Sequence, residues 1–178
     1  MSVATPRPNP PPQGGRELSG VRFRDAQPGD EGIVAHFVRA LAEYEKLAHE
    51  AVATNEDFRQ ALFGTPPRAH ALIIEDAGEP VGLALWFYNF STFVGRHGLY
   101  VEDVFVMPEK RGKGIGRAVF RELARRAVAQ GCVRMEWSVL DWNAPSIAFY
   151  RSIGAKAMDD WTVQRLEGET LRSVADGR

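Results

Sequence analysis

Val104-Phe105-Val106-Met107-Pro108-Glu109-Lys110-Arg111-Gly112-Lys113-Gly114-Ile115-Gly116 reads as a strand that passes through a basic, glycine-rich turn into a helix. Glycines let a backbone approach an anion closely, the first turn of a helix offers unpaired N–H groups, and the helix dipole favours negative charge. Arg111 and Lys113 add positive charge at the same place, so a phosphate or pyrophosphate is the natural ligand. A P-loop would need Ser or Thr after Gly-Lys, and Gly114 follows Gly112-Lys113. A dinucleotide fingerprint, Gly-x-Gly-x-x-Gly, fails at its third glycine, which falls on Arg117 or Val119. Glu136 lies about 20 residues downstream, where that motif has its acidic residue, which keeps the reading as an alternative. A turn that only redirects the chain is the third reading, and it needs neither the cations nor so many glycines.

Outward from this segment, the strand begins near Leu99 and ends at Pro108. The helix starts at about Gly114, with Ile115, Val119, Leu123 and Val128 expected on its buried face, and closes at Gly131. A strand is expected over Val133 to Leu140. Asn143 before Ala144-Pro145 marks the start of a short helix through Phe149 and Tyr150 to about Gly154. Trp161 to Leu166 alternates like a last strand, followed by a weak C-terminal helix. Upstream, Val21-Arg22-Phe23-Arg24 alternates, and Asp30 stands as a cap before Ile33, Val34, Phe37, Val38, Leu41 and Tyr44, a helical spacing that reaches about Leu47. Thr54 with Asp57 opens a second helix that Gly64 stops. Ala69 to Glu75 and Val81 to Phe90 are strands joined by Asp76-Ala77-Gly78-Glu79. The order is β-α-α-β-β-β-α-β-α-β, an α/β protein of the mixed (α+β) kind with a mixed sheet flanked by helices. Five of the first twelve residues are proline, so residues 1–20 read as a disordered tail and residues 21–178 as a single domain.

The composition narrows the function. With 22 Lys plus Arg against 23 Asp plus Glu, the net charge is -1, which leaves no global electrostatic case for nucleic acid or an anionic membrane. The longest apolar run, Val81 to Tyr88, is far short of the roughly 18 residues of a membrane span. A single cysteine, Cys132, forms no intrachain disulfide and is expected to pack in the core, so a reducing cytoplasm is the expected compartment. His36, His49, His70 and His97 have no metal-ligand spacing, and no metal is expected.

Arg111-Gly112-Lys113-Gly114-Ile115-Gly116 fits the Arg/Gln-x-x-Gly-x-Gly/Ala pattern of the GCN5-related N-acetyltransferase superfamily, which the sequence resembles. The resemblance is closer to the spermidine/spermine (diamine) and thialysine acetyltransferases. Its blocks are Leu41-Ala42-Glu43-Tyr44-Glu45-Lys46-Leu47, Leu99-Tyr100-Val101-Glu102-Asp103-Val104-Phe105-Val106 and Asp141-Trp142-Asn143-Ala144-Pro145-Ser146-Ile147-Ala148-Phe149-Tyr150. It extends from about residue 21 to about residue 170. It implies a central, mostly antiparallel sheet of about six or seven strands, in which strand 99–107 splays from strand 133–140. Acetyl-CoA, the cosubstrate, would lie in the gap with its pyrophosphate on Arg111, Gly112, Lys113, Gly114, Ile115 and Gly116. The resemblance gives the pantetheine to backbone groups of Phe105 and Val106, and puts Asn143 and Tyr150 beside the cofactor. It assigns Glu102 as base and Tyr150 as general acid, brings Tyr44, Glu45, Glu102, Asp103 and Asp159 around a small amine, and implies a homodimer.

The chemistry asks for such groups. An alkyl ammonium of pKa about 10.4 must lose a proton before it can attack a thioester, at a cost of roughly 4–5 kcal/mol at pH 7. A carboxylate of ordinary pKa, about 4.3, is a poor direct base for it, so a water relay or a raised pKa is expected at Glu102. The leaving thiolate needs a proton, which Tyr150 would donate late. A competing reading is a sensor of the same fold that binds a CoA thioester and catalyses nothing.

Overall fold

The computed structural model describes residue 18 and residues 20–178. The proline-rich tail expected over residues 1–20 therefore lies, except for Leu18 and Gly20, outside the described residues. One sheet holds β1 (Val21–Asp25), β2 (His70–Asp76), β3 (Glu79–Ser91), β4 (Arg96–Val106) and β5 (Met135–Trp137) in sequence order. β1 to β4 pair antiparallel and β5 joins β4 parallel. The helices are α1 (Glu31–Tyr44), α2 (Asn55–Phe63), α3 (Ile115–Ala129), α4 (Ala144–Ser152) and α5 (Gly168–Ala175). The chain divides into two units, one ending at Leu140 and one over Asp141–Arg178.

In the first unit alternation along the strands builds two cores. Leu72, Ile74, Ala84, Trp86, Leu99 and Val101 pack with Ile115, Val119, Leu123 and Ala127 of α3 on one face. Ala71, Ile73, Leu83, Leu85 and Phe105 pack with Val34 and Phe37 of α1 and Leu62 of α2 on the other. Each side chain removed from water contributes roughly 1.5–3 kcal/mol, so both helical layers are held by the same central strands. The Thr54 capping box forms as expected, with Asp57 and Thr54 exchanging hydrogen bonds.

Five expectations change. The sheet has five strands among the described residues rather than six or seven. β5 spans only Met135–Trp137 of the expected Val133 to Leu140. Trp161 to Leu166 is not a strand, and Trp161 is 71% exposed; alternation becomes a strand only when another edge accepts its hydrogen bonds. Val128 is 75% exposed while Ala127 is buried, because Ile115, Val119 and Leu123 recur every four residues and the next place on that face is 127. Asp30 precedes α1 but does not cap it with its side chain. Its carboxylate instead takes two hydrogen bonds from Arg24, at 2.6 and 3.0 Å, and Arg24 also reaches Glu75 at 2.6 Å. One guanidinium thus ties β1, β2 and the start of α1 together, and holds the Asp30 carboxyl below its usual range.

Gly82 marks where β3 and β4 come too close for a side chain. A Cβ there would stand 2.2 Å from the Phe105 carbonyl oxygen and 3.1 Å from the Val106 Cα. Both obstacles are backbone, so neither yields cheaply. Gly82→Ala is expected to cost about 1–3 kcal/mol, seen as a lower urea midpoint at unchanged slope. An unmoved midpoint would mean that the two strands part there without cost.

Candidate active site

The site begins where the β4–β5 ladder ends. β5 pairs with β4 only at Leu99, Tyr100 and Val101, while β4 continues to Val106. Tyr100 Oη and Ser138 Oγ, 2.8 Å apart, link the two chain segments at the point of parting. Strand 99–107 therefore does splay from the segment that follows β5.

A bulge sits at the same point. Leu85 of β3 pairs with Asp103 and the next residue, Trp86, pairs with Val101, which leaves Glu102 as an extra residue on β4. A bulge shifts the alternation of side chains by one. Leu99 and Val101 face α3, and Val104 and Val106 also pack on that side, whereas Phe105 faces α1 and α2. By the same alternation Tyr100, Glu102, Asp103 and Phe105 all face α1. Two consecutive carboxylates that a regular strand would separate thus share one face of the opened strand.

Glu45, at the C-terminal end of α1, belongs to this face. Burial, then the charges of Glu102 and Glu45, push the Asp103 carboxyl up to about 6. Burial also raises Glu45. Glu102 itself is exposed.

The glycine loop follows. A short turn over Pro108–Lys110 leads to Arg111, and Gly112 and Gly114 take left-handed backbone at φ 75° and 85°. Glycine enters that region without the penalty a Cβ brings. A Cβ at Gly112 would meet nothing within 4 Å, so conformation rather than crowding selects glycine, and the space beside it is open. The first bond within α3 runs from the Ala118 N–H to the Gly114 carbonyl at 3.1 Å. The N–H groups of Ile115 and Gly116 precede it and have no acceptor in the helix. Among the described residues no side chain caps this end, whereas Thr54 caps α2 and Asn143 caps α4. Lys110 is paired with Asp76 at 2.8 Å. Arg111 donates from Nε to the Val106 carbonyl at 2.8 Å and lays its guanidinium 4.6 Å from the Tyr44 ring centre and 5.5 Å from that of Phe105. A helix start without a described side-chain cap, open space beside the left-handed Gly112, and the charges of Arg111 and Lys113 suit the pyrophosphate of a CoA thioester. Phe105 turns its carbonyl toward β3 at Gly82, while Val106 presents its own to Arg111.

The sequence-derived residues thus fall into two groups. Tyr44, Glu45, Glu102, Asp103, Phe105, Val106 and the segment Arg111 to Gly116 all lie in the first unit. Asn143, Tyr150 and Asp159 lie in the second. There Asn143 Oδ1 accepts from the Ser146 N–H at 3.3 Å and starts α4. Tyr150 sits in α4, with its carbonyl accepting the Ala155 N–H at 3.1 Å where the helix closes. Asp159 occupies an exposed turn. Two features carried no sequence signal: the bulge, which is a matter of pairing with β3, and the stacking of Arg111 on Tyr44. Cys132 is partly buried, with burial raising its thiol, and packs at the edge of the α3 core. Among the described residues no group of three His, Cys, Asp or Glu could hold a metal ion, and no helix is long and apolar enough to cross a membrane.

Comparison with known proteins bears on this architecture. The chain is 37% identical over 169 residues to a thialysine N-epsilon-acetyltransferase of Bos taurus, covering 89% of this chain and 99% of that one. It is 27% identical over 221 residues to an L-ornithine N5-acetyltransferase of Arabidopsis thaliana, covering 97% and 96%. Among solved structures, an integron cassette protein from the mobile metagenome of V. cholerae superposes with a TM-score of 0.73 at 25% identity, over 88% of this chain and 98% of that one. The family model for acetyltransferases (GNAT) matches residues 35–155. With that match spanning the opened strand and the glycine loop, the chain belongs to the GNAT acetyltransferase family.

Proposed function

We propose that the protein transfers the acetyl group of acetyl-CoA to the primary amine of a small acceptor that carries a second charged group, a lysine-like amino acid, a diamine or a polyamine. The observation that carries this is the pair of carboxylates, Glu102 and Asp103, turned to one face of a strand that runs directly into the basic glycine loop. The similarity to enzymes named for thialysine and ornithine supports the lysine-like end of that range.

Bound acetyl-CoA supplies an activated thioester, and everything else falls to the chain's own residues. The N–H groups of Ile115 and Gly116, with Arg111, Gly112, Lys113 and Gly114, hold the pyrophosphate. The backbone of Val106 meets the pantetheine, since that of Phe105 is turned to β3, and Asn143 lies beside it. Tyr44, Glu45, Asp103 and Asp159 hold the cationic acceptor. Glu102 leads the ammonium proton to solvent, and Tyr150 gives a proton to the departing sulfur. The acceptor site is completed in a homodimer, and the reducing cytoplasm suits a chain with one cysteine. These roles rest on the matching motif positions together with the charge and geometry of the first unit.

Gly114→Val puts a side chain into the cradle as well as a branched residue into left-handed backbone. Calorimetry is expected to detect no CoA binding, while circular dichroism reports a folded protein with a lowered melting temperature. Unchanged affinity would remove the pyrophosphate from this loop.

Tyr150→Phe is expected to lower kcat by about 10²–10⁴-fold with little change in acetyl-CoA affinity, the usual worth of a positioned acid. A loss below about threefold would leave Tyr150 a packing residue.

A diamine and a lysine analogue should both exceed propylamine in kcat/KM, with the advantage shrinking at high salt. Each sheltered charge-assisted contact contributes about 1.5–3 kcal/mol and exposed ones much less. Equal use of propylamine with no salt effect would separate the carboxylates from substrate choice. If no amine releases thiol from acetyl-CoA that the protein binds, the sensor reading is favoured.

A further inference from the structure

We propose that Asp103, rather than Glu102, is the first acceptor of the proton that the substrate ammonium must lose, and that Glu102 is the second, passing it to water. This rests on the acetyl-transfer reading above and assigns the order within the carboxylate pair.

The geometry separates the two. Glu102 is the unpaired residue of the bulge and is exposed, so it is in contact with solvent. Asp103 is paired with Leu85, whose side chain belongs to the core beneath α1. It lies between the exposed bulge and the buried ring of Phe105. The charged groups around it are Glu102 on its own strand and Glu45 at the end of α1. Arg111 from the loop keeps its guanidinium over Tyr44 and Phe105 and its Nε on the Val106 carbonyl. Among the described residues neither Asp103 nor Glu102 has a salt-bridge partner, unlike Asp76 with Lys110 or Glu136 with Arg134. A sheltered carboxyl between two other acids holds a proton longer than an exposed one. The shift to about 6 agrees with that. Relative to an ordinary aspartic acid near 3.9 it makes proton transfer from an alkyl ammonium about a hundredfold less unfavourable.

The step balances as follows. The N–H bond of the ammonium breaks with its electron pair kept by nitrogen, and an O–H bond forms on Asp103. That proton moves to Glu102 and then to water, restoring Asp103, while the neutral amine attacks the thioester. Above about pH 6 Asp103 is ionised and ready, and below it the acceptor is already filled, so kcat/KM falls on the acid side.

The test is the pH profile of kcat/KM for a diamine in the wild-type enzyme, Asp103→Asn and Glu102→Gln. The wild type should show an acidic limb near pH 6. Asp103→Asn should lose that limb and about 10²–10⁴-fold in rate, with the acetyl-CoA KM unchanged. Glu102→Gln should keep a limb but at lower pH, because a negative neighbour that raises Asp103 has gone, and should lose less rate than Asp103→Asn. Survival of the limb in Asp103→Asn, or a larger loss in Glu102→Gln, would overturn the assignment while leaving acetyl transfer intact. A wild-type protein that acetylates no amine would overturn the acetyl-transfer reading and this order with it. Should Asp103→Asn not fold, carbon-13 NMR of wild-type protein labelled at aspartate Cγ decides the question. One carboxyl should titrate near pH 6, move to lower pH in Glu102→Gln, and move again when the diamine binds. A set of aspartates that all titrate near 4 and ignore the diamine would overturn it.

Discussion

Everything distinctive about this molecule follows from β4 having one residue more than β3 at Glu102. A bulge bends a strand and increases its twist, and here it coincides with the end of the pairing to β5. Upstream, β4 is an ordinary inner strand between two neighbours. Downstream it is paired on one side only, and it runs on directly into the glycine loop. The extra residue also moves Asp103 and Phe105 to the α1 face. One local irregularity therefore opens the sheet and arms the opening.

The charges are arranged accordingly. The acidic groups Glu45, Glu102 and Asp103 cluster on the α1 face, while the positive end of α3, Arg111 and Lys113 lie past the end of β4. Arg111 is held by stacking on Tyr44 and Phe105 and by the Val106 carbonyl, a planar fork used against aromatic faces that lysine could not replace. Lys110 is taken by Asp76. The carboxylates are left with one another, which adds to burial, the larger cause, in raising the sheltered one. A cationic acceptor and an anionic cosubstrate can each meet a site of opposite sign.

Much of this was legible in the residues. The loop could be read because a strand, a glycine-rich basic turn and a helix follow one another without interruption, and all the groups suited to an anion lie within a few positions. Helix starts at Thr54 and Asn143 were legible for the same reason, since a cap bonds within three residues. Readings failed where the decisive partner lay far along the chain. Asp30 looks like a cap until Arg24 and Glu75 are beside it. Val133 to Leu140 reads as one strand, yet only three residues find β4 before it bends away. Trp161 to Leu166 has the pattern of a strand and no edge to join among the described residues.

The sequence alone determined most of the element types, the glycine-rich basic loop and the family, because capping, periodicity and the glycine motif act over a few bonds. It also named Glu102 and Asp103 as the acidic pair, but in an extended chain neighbouring side chains point to opposite faces. Tertiary structure decided that both point to α1, that one is sheltered and the other wet, and that Glu45 borders them. Pairing register and burial set those outcomes, and both depend on what β3 and α1 bring to the strand rather than on the strand's own residues.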